Sequence, residues 1–198
     1  MTNRSERPIT PGELTAHWQA CYGVAPLAHH LRTACADRWV RIYGLPDGKR
    51  YPETEDEYAI VLARHNELLS SLIDEGQEAV LITTGWSWPE AQPPVQEPAV
   101  AHSEAWHWIT IRADMDDPEA GFAHLYARSV PWHSGTLDSA LRLVADDQIG
   151  NVMVLGIAEY VLYHPYDGGA DVIARDQTQR DMLKDRFRDW VSPLASGL

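Results

Sequence analysis

The chain has 198 residues, of which 44% are hydrophobic and 23% are charged, a composition that is typical of one globular domain and excludes a disordered chain. Its 16 Lys and Arg against 29 Asp and Glu give a net charge of −13. This charge argues against a nucleic-acid partner, because binding to a phosphate backbone depends on cationic side chains. With no signal-peptide pattern and no apolar run of the roughly 18 residues that a membrane helix needs, we expect a cytoplasmic protein without membrane contact.

The first half of the chain is predicted to contain two helices and two strands after a polar lead-in at residues 1–11. Thr10 can cap a helix that starts at Pro11, and Thr54 with Glu57 forms a capping box for a second helix. β-Branched and aromatic residues mark the strands. The predicted elements are a helix over 11–20, a strand over 37–45, a helix from 54 to about 76 and a strand over 78–84.

A Pro-rich loop at 85–103 separates this half from a second run of strands and helices. The predicted elements there are strands over 105–112 and 121–130, a helix over 137–147, strands over 151–157, 159–163 and 171–174, and a final helix from about 178. Consecutive strands flanked by helices predict an α+β fold, with a largely antiparallel sheet packed with helices as a single pair of layers. We expect one domain over 1–198.

Three runs of the sequence resemble an uncharacterised bacterial family that is defined as a domain of unknown function. They are GLPDGKRYPETEDEYAIVLARHN at 44–66, LITTG at 81–85 and YHPYDGGADVI at 163–173. The resemblance covers most of the chain from about residue 37 onward and implies a single-domain architecture. The family carries no established catalytic residues, so the resemblance implies no reaction.

Motifs of the common enzyme classes are absent from the sequence. The run GWSWP at 85–89 contains a serine but lacks the second glycine of a G-x-S-x-G nucleophile elbow. No phosphate-binding glycine loop, no HExxH run and no paired CxxC occurs. We therefore expect no cofactor and no metal site, and the enzyme class stays open.

Polar residues in two regions could form a cleft for chemistry or for a ligand. His65 lies on the apolar stripe of the second predicted helix, where it is either a core histidine or a ligand. Arg41 and Arg50 could bind an anion, or neighbouring acidic residues could neutralise them. His164, Asp167 and Asp171 could perform acid–base work, or they could serve the glycine turn and the strand that follows it.

Tryptophans form a second candidate surface. Strand alternation predicts Trp106, Trp108, Thr110 and Arg112 on one face, beside a face that carries Phe122, His124, Tyr126 and Arg128. Trp86 and Trp88 lie in the nearby Pro-rich loop. Such a face could anchor a partner, since Trp, Tyr and Arg dominate binding hot spots, or it could form half of the core.

Charge is concentrated in the same part of the chain. Eleven acidic residues and one basic residue lie between positions 65 and 120, so this segment carries −10 of the total charge. Clustered charge of one sign favours partners of the opposite sign, although it also serves solubility.

These observations favour a non-enzymatic cytoplasmic binding protein that engages a basic protein partner through an acidic, Trp-bearing surface. An immunity-type role, in which the chain covers a cationic toxin, fits the charge and the size. The alternative is a small enzyme or small-molecule-binding domain with an Arg/His/Asp cleft. The two hypotheses differ in geometry: the first needs exposed indoles next to the acids, and the second needs His65, His164 and Asp171 within hydrogen-bond reach of one another.

Overall fold

One antiparallel sheet organises the protein in the computed structural model, which describes residues 8–88, 104–114, 117 and 119–191. Seven strands follow the spatial order β1-β7-β6-β5-β2-β4-β3, and every neighbouring pair is antiparallel. The strands are β1 (Trp39–Tyr43), β2 (Glu78–Ser87), β3 (Trp106–Arg112), β4 (Phe122–Pro131), β5 (Met153–Gly156), β6 (Val161–Tyr166) and β7 (Gly169–Ile173).

Helices cover both faces of this sheet. They are α1 (Pro11–Cys21), α2 (Ala28–Ala34), α3 (Glu55–Leu72), α4 (Asp138–Ala145) and α5 (Gln177–Arg186). Side chains of α1 and α2 form one hydrophobic cluster with the sheet, and side chains of α3, α4 and α5 form the other. The predicted α+β class and antiparallel sheet are confirmed, but the sheet and the helices on its two faces make three layers where one pair of layers was expected. The helix α2, which is part of the second helical layer, was not predicted from the sequence.

The central strand β2 shows why both faces need cover. Ala79 and Leu81 belong to the α3–α5 side, whereas Val80 and Ile82 belong to the α1–α2 side. A strand that is buried on both faces has a continuous apolar run instead of an alternating one. The run at 79–82 therefore specifies a central strand with a helical layer on each side.

The helix starts follow the predicted capping signals. Thr10 and Glu13 form a complete capping box at α1, and Thr54 accepts a hydrogen bond from the Glu57 amide at α3. At α3 the Glu57 carboxylate accepts from the Glu53 amide and from Lys49, instead of closing the box on Thr54. The helix α3, which was the second helix predicted from the sequence, ends at Leu72, four residues before the predicted end at Gly76.

The turn between β6 and β7 requires a glycine at position 169. Gly169 has a φ of 151°, and a Cβ there would collide with the Ile42 carbonyl of β1. Its neighbour Gly168 accepts a hydrogen bond from the Gly44 amide at 3.0 Å. The Gly-Gly pair in the YDGG run therefore lets the turn approach β1, which supports the turn role foreseen for Asp167 and its glycines.

Part of the predicted Pro-rich loop is strand. β2 continues through Gly85 and Trp86 to Ser87, because these residues pair with His124, Ala123 and Phe122 of β4. Residues 89–103 lie outside the described part of the chain. Among the residues that the structure describes, no helix has the length and apolarity needed to cross a membrane.

Candidate functional site

Two of the predicted binding tryptophans, Trp86 and Trp88, are exposed at the end of β2. Trp86 is 40% and Trp88 is 61% exposed, and their rings stack with centroids 6.4 Å apart at an interplanar angle of 25°. Being two residues apart along an extended segment, they project from the same face, which is the α1–α2 side. We call Trp86 and Trp88 the indole pair.

Small residues on β4 and just before it make room for the indole pair. Ala123 is the cross-strand partner of Trp86, and Gly121 is the next residue along that face. A Cβ at Gly121 would lie 2.5 Å from the Trp88 ring and 2.5 Å from the Ser87 carbonyl. The Trp88 indole therefore rests on a backbone surface that only glycine provides.

Trp106 and Trp108 have a different role, since both are half-buried against α1 and α2. The Trp108 ring meets Trp18 edge-on at 5.6 Å, and its Nε1 donates to the Thr15 hydroxyl at 3.0 Å. These contacts attach the edge strand β3 to α1. Of the four predicted binding tryptophans, the structure thus leaves two for a partner and uses two for packing.

A bulge in β3 overturns the predicted face of this strand. Trp106 pairs with Ala127 and His107 with Tyr126, but the next paired residue is Ile109, opposite Leu125. Because Trp108 is an extra residue without a partner, the alternation reverses after it. Thr110 and Arg112 consequently lie on the face opposite Trp106, and the prediction that all four share a face is wrong. Phe122, His124 and Tyr126 do share a face, as predicted.

Six acids of the segment 65–120 divide between the two ends of β2. Of the other five, Glu67 lies on α3 and Glu104 precedes β3, and Glu90, Glu97 and Asp116 lie outside the described residues. Asp74, Glu75 and Glu78 are exposed at the start of the strand, where Glu75 meets His133 at 3.2 Å and Glu78 accepts from Ser129. The exposed Asp114, Asp117 and Glu119 belong to the β3–β4 connection, at the end where the indole pair lies. We call Asp114, Asp117 and Glu119 the acidic connection.

Arg41 forms an ion pair with Asp171 between the neighbouring strands β1 and β7. Arg41 donates from Nε to Oδ1 at 2.8 Å and from Nη2 to Oδ2 at 3.1 Å. The guanidinium also lies over the rings of Trp39 and Tyr166, with 5.5 and 5.1 Å to their centroids. The pair is largely buried, with side-chain exposures of 20% and 11%. Arg41 is thereby neutralised and fixed, which favours the structural interpretation of this residue.

Arg50 and Asp167 form a second ion pair, at 2.6 Å. It connects the GKRYP segment that follows β1 to the turn between β6 and β7. Two of the three runs that carried the family resemblance therefore contact each other here. The Asp167 side chain is nearly buried while Arg50 remains exposed, so the contact holds the turn in place.

His65 is a core residue of α3. It is 2% exposed, and its Nδ1 shares a short hydrogen bond with the Tyr163 hydroxyl of β6. Burial lowers the pKa of His65 to about 4, because a charged imidazole loses its hydration there. The residue is neutral near pH 7 and faces the α3–α5 side of the sheet.

His164 faces the other side of the same strand. Its Nδ1 donates to the Val152 carbonyl at 2.7 Å, so this nitrogen carries the proton. Burial lowers its pKa, against the opposing effect of that carbonyl and of Asp171. Since Tyr163 and His164 are consecutive in β6, His65 and His164 lie on opposite faces of the sheet. The structure therefore gathers only part of the Arg/His/Asp cleft. Arg41, Asp171 and His164 are cross-strand neighbours on β1, β7 and β6, whereas His65 lies on the other face of the sheet.

Four polar side chains form a hydrogen-bonded chain across strands β2, β4 and β3. Sequence patterns did not predict that these four residues would meet. Ser87 Oγ lies 2.8 Å from His124 Nε2, His124 Nδ1 lies 2.9 Å from Thr110 Oγ1, and Thr110 Oγ1 lies 2.9 Å from His107 Nε2. We call Ser87, His124, Thr110 and His107 the hydroxyl–imidazole chain. Its residues appeared in the sequence as a serine in GWSWP and a polar alternation on β4, but only the bulge brings Thr110 beside His124.

The hydroxyl–imidazole chain runs from a buried centre to the surface. His124 is fully buried, Ser87 and Thr110 are partly exposed, and His107 is exposed. Burial, followed by the charge of His107, lowers the pKa of His124. Within the described residues, no group of three or more His, Cys, Asp or Glu side chains is placed to hold a metal ion.

These features define an α+β domain with two distinct surfaces at one end of its antiparallel sheet. The indole pair and the acidic connection lie at this end, and the hydroxyl–imidazole chain lies on the face opposite the indoles. Residues 27–195 match the model of the family described as Domain of unknown function (DUF3885), and the chain belongs to that family. Comparisons with curated proteins and with solved structures gave no significant match.

Proposed function

We propose that this protein engages a basic protein partner through the indole pair and the acidic connection, a binding role that needs no reaction at that surface. One observation carries the proposal: two stacked, exposed indoles at the same end of the sheet as three exposed carboxylates. The proposed surface includes fewer acids than the segment 65–120, since the acids at the start of β2 lie at the opposite end of that strand.

The indole pair suits a cationic, amphipathic partner. An exposed indole face attracts Lys and Arg side chains through its quadrupole, and tryptophan supplies large contact area with few rotatable bonds. The two rings support each other and rest on Ala123 and Gly121, so little side-chain freedom is lost on binding.

The acidic connection suits the same partner. Asp117 caps its own turn, accepting from the Glu119 amide at 2.9 Å. Neither Asp117 nor Glu119 forms an ion pair with any residue in the part of the chain that the structure describes. Their charges add to the net −13 and steer a cationic partner toward the indoles.

The biological form that we propose is an immunity-type role, in which this chain covers a cationic toxin inside a bacterial cytoplasm. Support for it comes from the charge, from the exposed indoles and from the likeness of the three sequence runs to a bacterial family. The alternative, a small-molecule cleft built from Arg, His and Asp side chains, has less support, because Asp171 neutralises Arg41 and His65 lies on the face opposite Arg41, Asp171 and His164.

The test is a titration of the purified full-length chain with an Arg-rich peptide and, separately, a Glu-rich peptide, followed by tryptophan fluorescence. We expect binding of the Arg-rich peptide that weakens as salt rises, and no binding of the Glu-rich peptide. The double variant W86A/W88A should weaken binding at least about tenfold, as expected for hot-spot residues. D117N/E119Q should weaken it and flatten the salt dependence.

A matched control is available at the other end of β2. E75Q/E78Q removes the same charge far from the indole pair and should leave binding within about twofold, since exposed charges beyond a Debye length are screened. Equal loss in the control and in D117N/E119Q would contradict a local site. Absence of binding to the Arg-rich peptide at low salt would contradict the proposal as a whole.

A further inference from the structure

We propose that Ser87 is a nucleophile activated by His124, which gives the domain a serine acyl-transfer site separate from the indole pair. The pairing of a hydroxyl with an imidazole whose second nitrogen is held by another group is the arrangement that activates serine in unrelated folds. Here Ser87 Oγ is 2.8 Å from His124 Nε2, and Thr110 holds Nδ1 at 2.9 Å.

The proton positions in the hydroxyl–imidazole chain are restricted by its composition. Thr110 has one hydroxyl proton and lies between two imidazole nitrogens, so it donates to one and accepts from the other. If Thr110 donates to His107 Nε2, then His124 donates from Nδ1 to Thr110, and its Nε2 is free to accept the Ser87 proton. The opposite polarity is its mirror image along the chain. The two polarities therefore differ in the tautomer of His124, whose Nε2 accepts from Ser87 in the first and carries the proton in the second.

The fold holds these groups rigidly and keeps one end accessible. His124 is fully buried near the start of β4, whereas Ser87 is partly exposed at the end of β2. A desolvated imidazole that stays neutral near pH 7 is suited to act as a general base.

The site is independent of the proposed partner surface. Ser87 lies between Trp86 and Trp88 in the sequence, and alternation directs its side chain to the opposite face of the sheet. Its cross-strand neighbour there is Phe122, whose ring lies 5.1 Å from the Arg112 guanidinium. Loss of the indole pair and loss of Ser87 should therefore have separable effects.

The reaction class is acyl transfer from an activated ester. The Ser87 hydroxyl proton passes to His124 Nε2 as Oγ forms a bond to the ester carbonyl carbon. The carbon–oxygen bond to the alcohol then breaks, and the leaving alcohol takes the proton from His124. Water, deprotonated by the same nitrogen, attacks the acyl-serine, releases the carboxylic acid and restores the Ser87 hydroxyl. The aromatic Phe122 beside Ser87 favours an ester with an apolar acyl group.

The direct test is covalent labelling of the purified full-length chain with an alkyl fluorophosphonate, read by intact mass and peptide mapping. Attack by Ser87 would form a phosphorus–oxygen bond and expel fluoride. We expect one adduct, located on Ser87, and none in Ser87→Ala. Ser129→Ala is the matched control on the same sheet, and it should be labelled like the wild type. A folded wild-type chain that forms no adduct, or forms it elsewhere, would overturn the proposal.

Two further variants test the roles of the imidazole and of Thr110. His124→Gln should slow labelling at least about 100-fold, in the range that a general base contributes, and equal rates in a folded His124→Gln chain would overturn the assignment of the base.

Thr110→Val should move the acidic midpoint of the labelling rate to lower pH, because protonated His124 loses an acceptor for its Nδ1–H. A purely structural role for Thr110 would leave that midpoint unchanged.

Discussion

Three consecutive residues at the end of β2 carry the chemistry of both proposed surfaces. Trp86 and Trp88 project toward the α1–α2 side, and Ser87 projects toward the other. This division follows from the two-residue period of a strand and requires β2 to extend through position 87. It also means that substitutions one residue apart should affect different activities.

The exposed position of Trp88 depends on the missing side chain at residue 121. We expect Gly121→Ala to destabilise the fold by about 1–3 kcal/mol, because a Cβ 2.5 Å from the ring and from the Ser87 carbonyl forces one of them to move. Urea unfolding measures the stability, and near-ultraviolet circular dichroism reports the indole pair. Gly150→Ala is the control, since a Cβ there meets nothing within 4 Å. Unchanged dichroism in Gly121→Ala would contradict the placement of Trp88.

At the scale of the elements, β1 is held at the edge of the sheet by side chains as well as by its backbone ladder. The bidentate Arg41–Asp171 contact lies directly across the β1–β7 pairing. Arg50 and Asp167 add a second contact between the same two parts of the chain. These two ion pairs occupy residues that the sequence alone made candidates for ligand binding.

Asp171→Asn should destabilise the protein by about 2 kcal/mol, because it leaves a largely buried guanidinium without its carboxylate. Glu55→Gln is the comparison, as it breaks the Arg142–Glu55 pair, whose side chains are 40% and 78% exposed. An exposed pair contributes little to stability because water and salt screen it, so this variant should remain close to the wild type. Urea unfolding at pH 7 measures both changes in stability. Equal effects of the two substitutions would contradict a structural role for the Arg41–Asp171 pair.

The bulge in β3 is the other decisive feature at this scale. Trp108 is the unpaired residue of the bulge, and its own indole packs against α1. The extra residue also reverses the alternation, so that Thr110 faces His124. Without the bulge, Thr110 would face the α1–α2 side of the sheet. The hydroxyl–imidazole chain would then lack the residue that connects His124 to His107. The edge strand is thus attached to α1 and completes the polar chain through the same irregularity.

At the scale of the whole molecule, histidines that lose hydration on folding link stability to pH. The pKa of each of five histidines is lowered, chiefly by burial: His17, His29, His65, His124 and His164. A histidine whose pKa is lower in the folded state binds fewer protons there than in the unfolded chain. The folded state therefore loses stability as pH falls below about 6.5.

The contribution of His65 to this loss of stability at low pH can be measured separately. Its pKa of about 4 against an unfolded value near 6.5 corresponds to about 3 kcal/mol, lost between those two pH values. The double variant His65→Leu/Tyr163→Phe removes both members of the buried pair, so neither is left unpartnered. We expect its urea midpoint to fall less than that of the wild type between pH 7 and pH 4.5. Parallel loss in both proteins would show that His65 does not set the pH dependence.

Sequence patterns were sufficient for features that depend on neighbours along the chain. Helical spacing placed His65 on the buried stripe of α3, capping residues located the starts of α1 and α3, and alternation predicted the pairing of the strands before and after the acidic connection. Such signals are local, because they follow from the period of a helix or a strand and from backbone groups at helix ends. The α+β class and the antiparallel sheet followed from their order.

The sequence by itself thus determined the class of fold, most of its elements and the excess of acidic charge. Only the tertiary structure decided which indoles are exposed, that the acids divide between two ends of β2, that Arg41 and Arg50 are paired, and that His124 lies between Ser87 and Thr110. The physical reason is that these outcomes depend on partners distant in sequence and on one bulged residue. A shift of a single position in a strand moves every later side chain to the other face.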